Sequence, residues 1–129
     1  MTQIKRIETY NAPGAIGPYS QAVLAGDLIF VSGQIPLDAA TGRIVEGDIS
    51  EQVNKVIDNV ENILVSAGSG LDSVVKVEVF LSDMEDFSRM NEIYAERFSS
   101  EVKPARYVVQ VARLPKDARV EISCIACRR

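Results

Sequence analysis

A chain of 129 residues with 47% hydrophobic and 25% charged side chains is long enough for one globular domain with its own core, and too short for two. Eighteen acidic residues against fourteen basic ones give a net charge of −4, without the overall basic footprint of a nucleic-acid binder. The chain contains no histidine, which excludes His-dependent nucleophiles, imidazole acid–base catalysis and His-ligated metals; any chemistry falls to Arg, Lys, Glu, Asp, Tyr, Ser, Cys or the backbone.

Residues 1–12 lack the apolar stretch of a secretion signal, and no apolar run approaches the ~18 residues of a membrane span, so a cytoplasmic address is expected. Strands are expected over Ile4–Thr9, Ser20–Ala25 and Leu28–Ser32, with Gly26-Asp27 forming a tight hairpin turn between the last two. Asp48-Ile-Ser-Glu51 reads as a capping box that opens a helix. Behind it Ile49, Val53, Val56, Ile57, Val60, Ile63, Leu64 and Ala67 recur at helical spacing, Gln52, Lys55, Asp58 and Glu61 form the polar face, and Gly68 is the stop.

Ser73-Val-Val-Lys76 matches a serine–lysine pattern, but that chemistry needs a helical turn and the β-branched run Val74–Leu81 reads as a strand. A second helix is expected from Asp83, with Phe87, Met90, Tyr94 and Phe98 on one stripe and an end before Pro104. Asp83, Glu85 and Asp86 sit in its first turn, where the helix dipole favours negative charge, so they read as helix-starting residues rather than a metal site. Asn91 interrupts the apolar stripe and needs a hydrogen-bond partner, either a nearby loop or a site that it braces. Strands over Arg106–Ala112 and Arg119–Cys127 complete a β-β-β-α-β-α-β-β order, which argues for an α+β domain with both helices on one face of a mixed sheet. Cys124 and Cys127 fall on opposite faces of their strand and can neither bridge nor chelate; no metal is expected.

Two helices can cover only one face of such a sheet. Leu28–Val31 is apolar on both sides, Arg119–Cys127 sets Glu121, Ser123, Ile125 and Cys127 opposite its apolar set, and in Arg106–Ala112 Tyr107, Val109 and Val111 alternate with Arg106, Val108, Gln110 and Ala112, so a homo-oligomer is expected to cover the mixed second face. Arg106 and Glu121 are expected to share that half-buried face near a subunit boundary, paired with each other or with a ligand. A guanidinium at that position offers a planar fork for a carboxylate.

The segments Ala15-Ile-Gly-Pro-Tyr-Ser-Gln21, Phe30-Val-Ser-Gly-Gln-Ile-Pro36, Asn91-Glu-Ile-Tyr94, Lys103-Pro-Ala-Arg106 and Val111-Ala-Arg-Leu-Pro-Lys-Asp117, with the late Glu121, resemble the RidA (YjgF) family. The resemblance runs from about Ala12 to Arg129 and treats residues 1–129 as a single RidA-like domain. It implies a chorismate-mutase-like α+β fold, a homotrimer with clefts between subunits, and cofactor-independent hydrolysis of 2-iminobutanoate and 2-iminopropanoate to 2-oxo acids and ammonia. Those imines arise from pyridoxal-phosphate-dependent dehydratases.

Carried over by that resemblance, Arg106 holds the substrate carboxylate, Glu121 orients or activates water, and Tyr19 lines the cleft and bonds the imine end. Ser32, Gly33 and the backbone at Val108 add polar contacts, and Asn91 braces Arg106. Many relatives carry Cys where this chain has Val108 and Ser where it has Tyr107; since the family uses mainly the backbone at the former, Val108 is expected to serve. A small-carboxylate-binding module and an RNA-directed endoribonuclease or translation inhibitor are the competing readings. The acidic charge and missing histidine weigh against the RNA reading, with no nucleic-acid or membrane partner expected.

Overall fold

The structure is a computed structural model that describes residues 2–129. Six strands, β1 (Ile4–Ile7), β2 (Ala22–Ala25), β3 (Leu28–Gln34), β4 (Val74–Leu81), β5 (Ala105–Gln110) and β6 (Val120–Cys127), form one sheet in the order β1-β2-β3-β6-β4-β5. All neighbours are antiparallel except β4 and β5. Helices α1 (Ile49–Ser66) and α2 (Phe87–Arg97) pack on one face, as the β/α order predicts.

The local signals act as expected in α1. The Asp48 side chain accepts from Ser50 N, and Glu51 reaches back to the Asp48 amide at 3.0 Å, which satisfies first-turn donors that the helix itself cannot. At the other end Gly68 takes φ +78°, and the amides of Gly68 and Ser69 close on the carbonyls of Val65 and Leu64. Val53, Val56, Ile57, Val60, Ile63 and Leu64 are completely buried, each contributing about 1.5–3 kcal/mol by leaving water. Gln52 departs from the expected polar face: it is buried, and its Oε1 accepts the Arg119 amide at 2.9 Å where β6 begins.

Boundaries move where side chains intervene. Strand β1 stops at Ile7 because the Thr9 amide is taken by Gln21 Oε1 instead of a ladder partner. The second helix starts four residues late: Asp83 caps a 3₁₀ turn over Met84–Asp86, and α2 follows. Strand β3 runs on to Gln34 through a break in its register with β6 between Val31 and Gln34. The Gly26-Asp27 turn is a two-residue hairpin with Gly26 at φ +61°.

On β6, Val120, Ile122, Cys124 and Ala126 face the helices, while Glu121, Ser123, Ile125 and Cys127 face away. The second face is open in the single chain, with Leu28, Phe30, Tyr107 and Val109 each about 40% exposed. Among the described residues no helix is long and apolar enough to cross a membrane.

Candidate active site

The residues singled out in the sequence fall into two clusters. The first gathers around Arg106. Strand β5 runs parallel to β4 in a register that sets Arg106 beside Val77 and Val108 beside Val79. Neighbours across a sheet share a face, and Val77 and Val79 are wholly buried under the helices, so Arg106 emerges on the helix side of the sheet. There it meets α2, and the 3₁₀ turn leading into that helix is tied to β5 by the Met84 amide donating to Gln110 Oε1 at 2.7 Å.

Arg106 Nη1 donates to Asn91 Oδ1 at 2.7 Å, and its guanidinium carbon lies 4.6 Å from the centre of the Tyr94 ring and 5.9 Å from that of Phe87. Asn91 therefore finds its partner in an arginine rather than a loop. Among the described residues Arg106 makes no ion pair, which leaves the remaining N–H groups of an exposed guanidinium free for an incoming acceptor. Val108 is half-buried against the core, and the outer edge of β5 has no partner strand among the described residues, so part of its backbone is unpaired.

The second cluster sits where β3 meets β6. Val31 pairs with Cys124 and Gln34 with Ile122, so three steps along β3 match two along β6. The extra residue is a β-bulge at Ser32-Gly33, a device that bends a strand and re-aims its side chains. Ser32 Oγ donates to the Ser20 carbonyl at 2.6 Å and Ser32 N to the Gln21 carbonyl at 3.0 Å, which pins the segment carrying Tyr19 against the bulge.

Glu121 lies directly over Gly33: a Cβ at that position would stand 2.9 Å from the carboxyl carbon. The Glu121 carboxyl is about half buried with no counter-charge among the described residues, and burial pushes its pKa above the ordinary glutamate value. Tyr19 is half-exposed at the end of a tight turn in which its amide donates to the Gly17 carbonyl, while its hydroxyl accepts from the Ile16 amide at 3.4 Å.

These clusters do not meet in one chain, which corrects the expectation that Arg106 and Glu121 share a face. Glu121 is opposite Phe80 and hence opposite Val109, three residues along β5 from Arg106. Two strand spacings and three residue steps separate their Cα atoms by roughly 14 Å, and the side chains leave from opposite faces of the sheet. Alternation along β5 separates Arg106 from Tyr107; only the pairing with β4 shows which set lies under the helices.

Sequence reasoning missed Gln21. Its amide is buried, accepting from Thr9 N at 2.8 Å and donating to the carbonyls of Thr9, Ala12 and Pro13 at 2.8–3.3 Å, and so shapes the loop that leads to Tyr19. The only sequence signal for it is a glutamine two residues after the Gly-Pro-Tyr turn. That loop walls a groove of about 590 Å³ between Arg6, Tyr10, Gly14 and Tyr19. On the open face Tyr107 donates to Glu78, which also accepts from Ser123 Oγ at 3.1 Å; these bonds hold the Glu78 carboxyl below its usual range. Cys124 is buried on the helix side, its thiol pushed up to about 12 by burial, while Cys127 is exposed on the other side.

Comparison with known proteins places this arrangement. The model of the family described as endoribonuclease L-PSP matches residues 9–128. A RutC family protein of Pyrococcus horikoshii is 56% identical over 120 residues, 93% of this chain and 94% of its own. The human protein named 2-iminobutanoate/2-iminopropanoate deaminase is 48% identical over 93% of this chain and 87% of its own. The crystal structure of Escherichia coli TdcF with bound serine superposes with a TM-score of 0.90 at 44% identity, covering 97% of this chain and 99% of that one.

Proposed function

The chain belongs to the endoribonuclease L-PSP (RidA/YjgF) family, and on that premise we propose that it hydrolyses reactive 2-imino acids to 2-oxo acids and ammonia. Homologues named as reactive-intermediate deaminases support this reaction class. The observation that carries the reading is an arginine braced by an uncharged residue and two aromatic rings, with no acid of its own, and therefore ready for a ligand carboxylate. Two-pronged hydrogen bonds from a charged donor contribute roughly 1.5–3 kcal/mol, a large share of what so small a ligand can supply.

The two clusters are proposed to be halves of one cleft, Arg106, Asn91 and the Val108 backbone from one subunit facing Tyr19, Ser32, Gly33 and Glu121 from the next. A homotrimer closes such a head-to-tail contact without leaving a free half-site. It also gives a partner to the open sheet face that exposes Leu28, Phe30, Tyr107 and Val109. With the carboxylate on Arg106, the imine carbon lies toward Glu121. Glu121 takes a proton from water as the oxygen adds to the C=N carbon of the protonated imine and returns it to the amino nitrogen; the C–N bond then breaks as the hydroxyl of the intermediate becomes the 2-oxo group, and its proton leaves with ammonia as ammonium. A carboxylate with a pKa raised by burial is a stronger base for that step, and general base catalysis contributes ~10²–10⁴-fold. Tyr19 bonds the imine end.

The reaction requires no cofactor. The substrates proposed are 2-iminobutanoate and 2-iminopropanoate, a cytoplasmic hazard to pyridoxal-phosphate enzymes that their removal would limit. Semicarbazide trapping of 2-iminobutanoate made in situ by a threonine dehydratase tests the reading. Wild-type protein lowers the semicarbazone yield and Arg106→Ala does not; equal yields with and without wild-type protein would reject it. A second reading, carboxylate binding without turnover, draws on the serine bound to E. coli TdcF; it predicts ligand retention but no competition with semicarbazide.

A further inference from the structure

The stripe that the sequence assigns to the core through Phe87 and Tyr94 has a second occupant. Phe87, Asn91 and Tyr94 stand at positions i, i+4 and i+7 of α2, one continuous line along the side that meets β5. Met90, Ile93 and Phe98 enter the core proper, whereas this line touches Arg106 at every member. Asn91 takes one guanidinium N–H from the side. Tyr94 lies under the planar group, its own ring backed by Phe98 at 4.4 Å between centres and 26° between planes.

Tyr94 is 93% buried, and its hydroxyl is buried with no hydrogen-bond partner among the described residues. A tyrosine kept for its hydroxyl would be expected to satisfy it. The part of Tyr94 that the surroundings use is the ring.

We infer that Tyr94, seated on Phe98 and flanked by Phe87, is a positioning residue for Arg106: an aromatic shelf that fixes the plane of the guanidinium so that its free N–H groups point outward. An arginine side chain otherwise has four free torsions, and the rotamer entropy lost on gripping a carboxylate would fall on substrate binding. With the plane already held, that loss belongs to folding. The shelf deepens the proposed imine hydrolysis and rests on it for its effect on turnover, though not for its effect on the arginine itself.

The test compares wild type, Tyr94→Leu, which keeps apolar bulk but has no ring, and Tyr94→Phe, which keeps the ring alone. Two readouts are taken: the nitrogen-15-resolved Nε–H resonance of Arg106, assigned by its loss in Arg106→Lys, and kcat and KM for 2-iminobutanoate. The ring current of Tyr94 displaces the wild-type resonance upfield of the other arginines. Tyr94→Leu returns it among them and raises KM about five- to thirty-fold, with kcat within about twofold, since the arginine holds substrate and transition state alike. Tyr94→Phe restores both readouts.

A wild-type resonance lying among the other arginines overturns the shelf, and it does so even if Tyr94→Leu cannot be folded. So does an unchanged KM in a folded Tyr94→Leu, or a Tyr94→Phe as impaired as Tyr94→Leu. If the wild type hydrolyses no imine, the functional reading fails by itself, and the resonance still decides the shelf.

Discussion

Substitution of Gly33 by alanine separates the chemistry of the site from the fold that carries it. The backbone there has no left-handed φ, so alanine brings no conformational penalty. What it brings is a methyl group 2.9 Å from the Glu121 carboxyl carbon and 3.2 Å from its Cγ. Carbon atoms settle at about 3.5–4.0 Å, so the carboxyl group must retreat by roughly 0.6–1 Å. Glu121 is only half-buried and can rotate away, and an off-rotamer side chain costs about 0.5–1.5 kcal/mol, so the melting temperature falls by a few degrees at most. A base displaced by about 1 Å loses on the order of 10²-fold in rate. The expected result of steady-state assays on 2-iminobutanoate is therefore a kcat reduced ten- to a hundred-fold (roughly) with KM nearly unchanged, because the carboxylate anchor lies in the other cluster. A Gly33→Ala protein with wild-type kcat would refute the role given to Glu121, and one with a raised KM and normal kcat would refute the division of labour between the two clusters.

Other perturbations follow the same geometry. Glu121→Gln removes a charge whose pKa is raised by burial, so at neutral pH the variant melts higher than wild type; thermal melts from about pH 8 to about pH 4 should show the gap closing as the wild-type carboxyl protonates. The sign is fixed by the raised value: the protonated form is the one the fold favours, and that stability is lost as pH rises through it. Gln21→Leu leaves four backbone groups without their partner and should cost about 2–4 kcal/mol in urea unfolding, with faster amide exchange at Thr9; a cost below ~0.5 kcal/mol would show that the loop holds without it. Tyr94→Phe deletes a buried hydroxyl that has no partner among the described residues, so unfolding free energy should stay level or rise by up to about 1 kcal/mol, and a fall of more than about 0.5 kcal/mol would reveal a partner.

How far the sequence reaches can be seen residue by residue. The helix α1, its capping box and its glycine stop are readable because each is decided within a few residues. The same holds for the alternation on β6 that sends Glu121 away from the helices. Arg106 is different: its alternation with Tyr107 is local, but the face it takes depends on a parallel pairing with Val77, 29 residues upstream, that no local pattern encodes. The bulge at Ser32-Gly33 is likewise a product of β6 lying against β3, and without it the closeness of Gly33 to Glu121 is invisible. Tyr94 has the spacing of a core residue and is one, but the cation above it comes from β5. What remained out of reach in each case is a contact between distant segments, and such contacts build both halves of the site.

The central claim, a catalytic cleft assembled from Arg106 of one subunit and Glu121 of the next, is tested most directly by mixing two inactive variants. Arg106→Ala and Glu121→Gln are each expected to lack imine hydrolysis when assayed alone. Co-expressed in equal amounts and purified as mixed oligomers, they should regain about a quarter of wild-type activity, the fraction of subunit boundaries that pair an intact arginine with an intact glutamate. Mixed oligomers no more active than either parent would contradict a shared cleft.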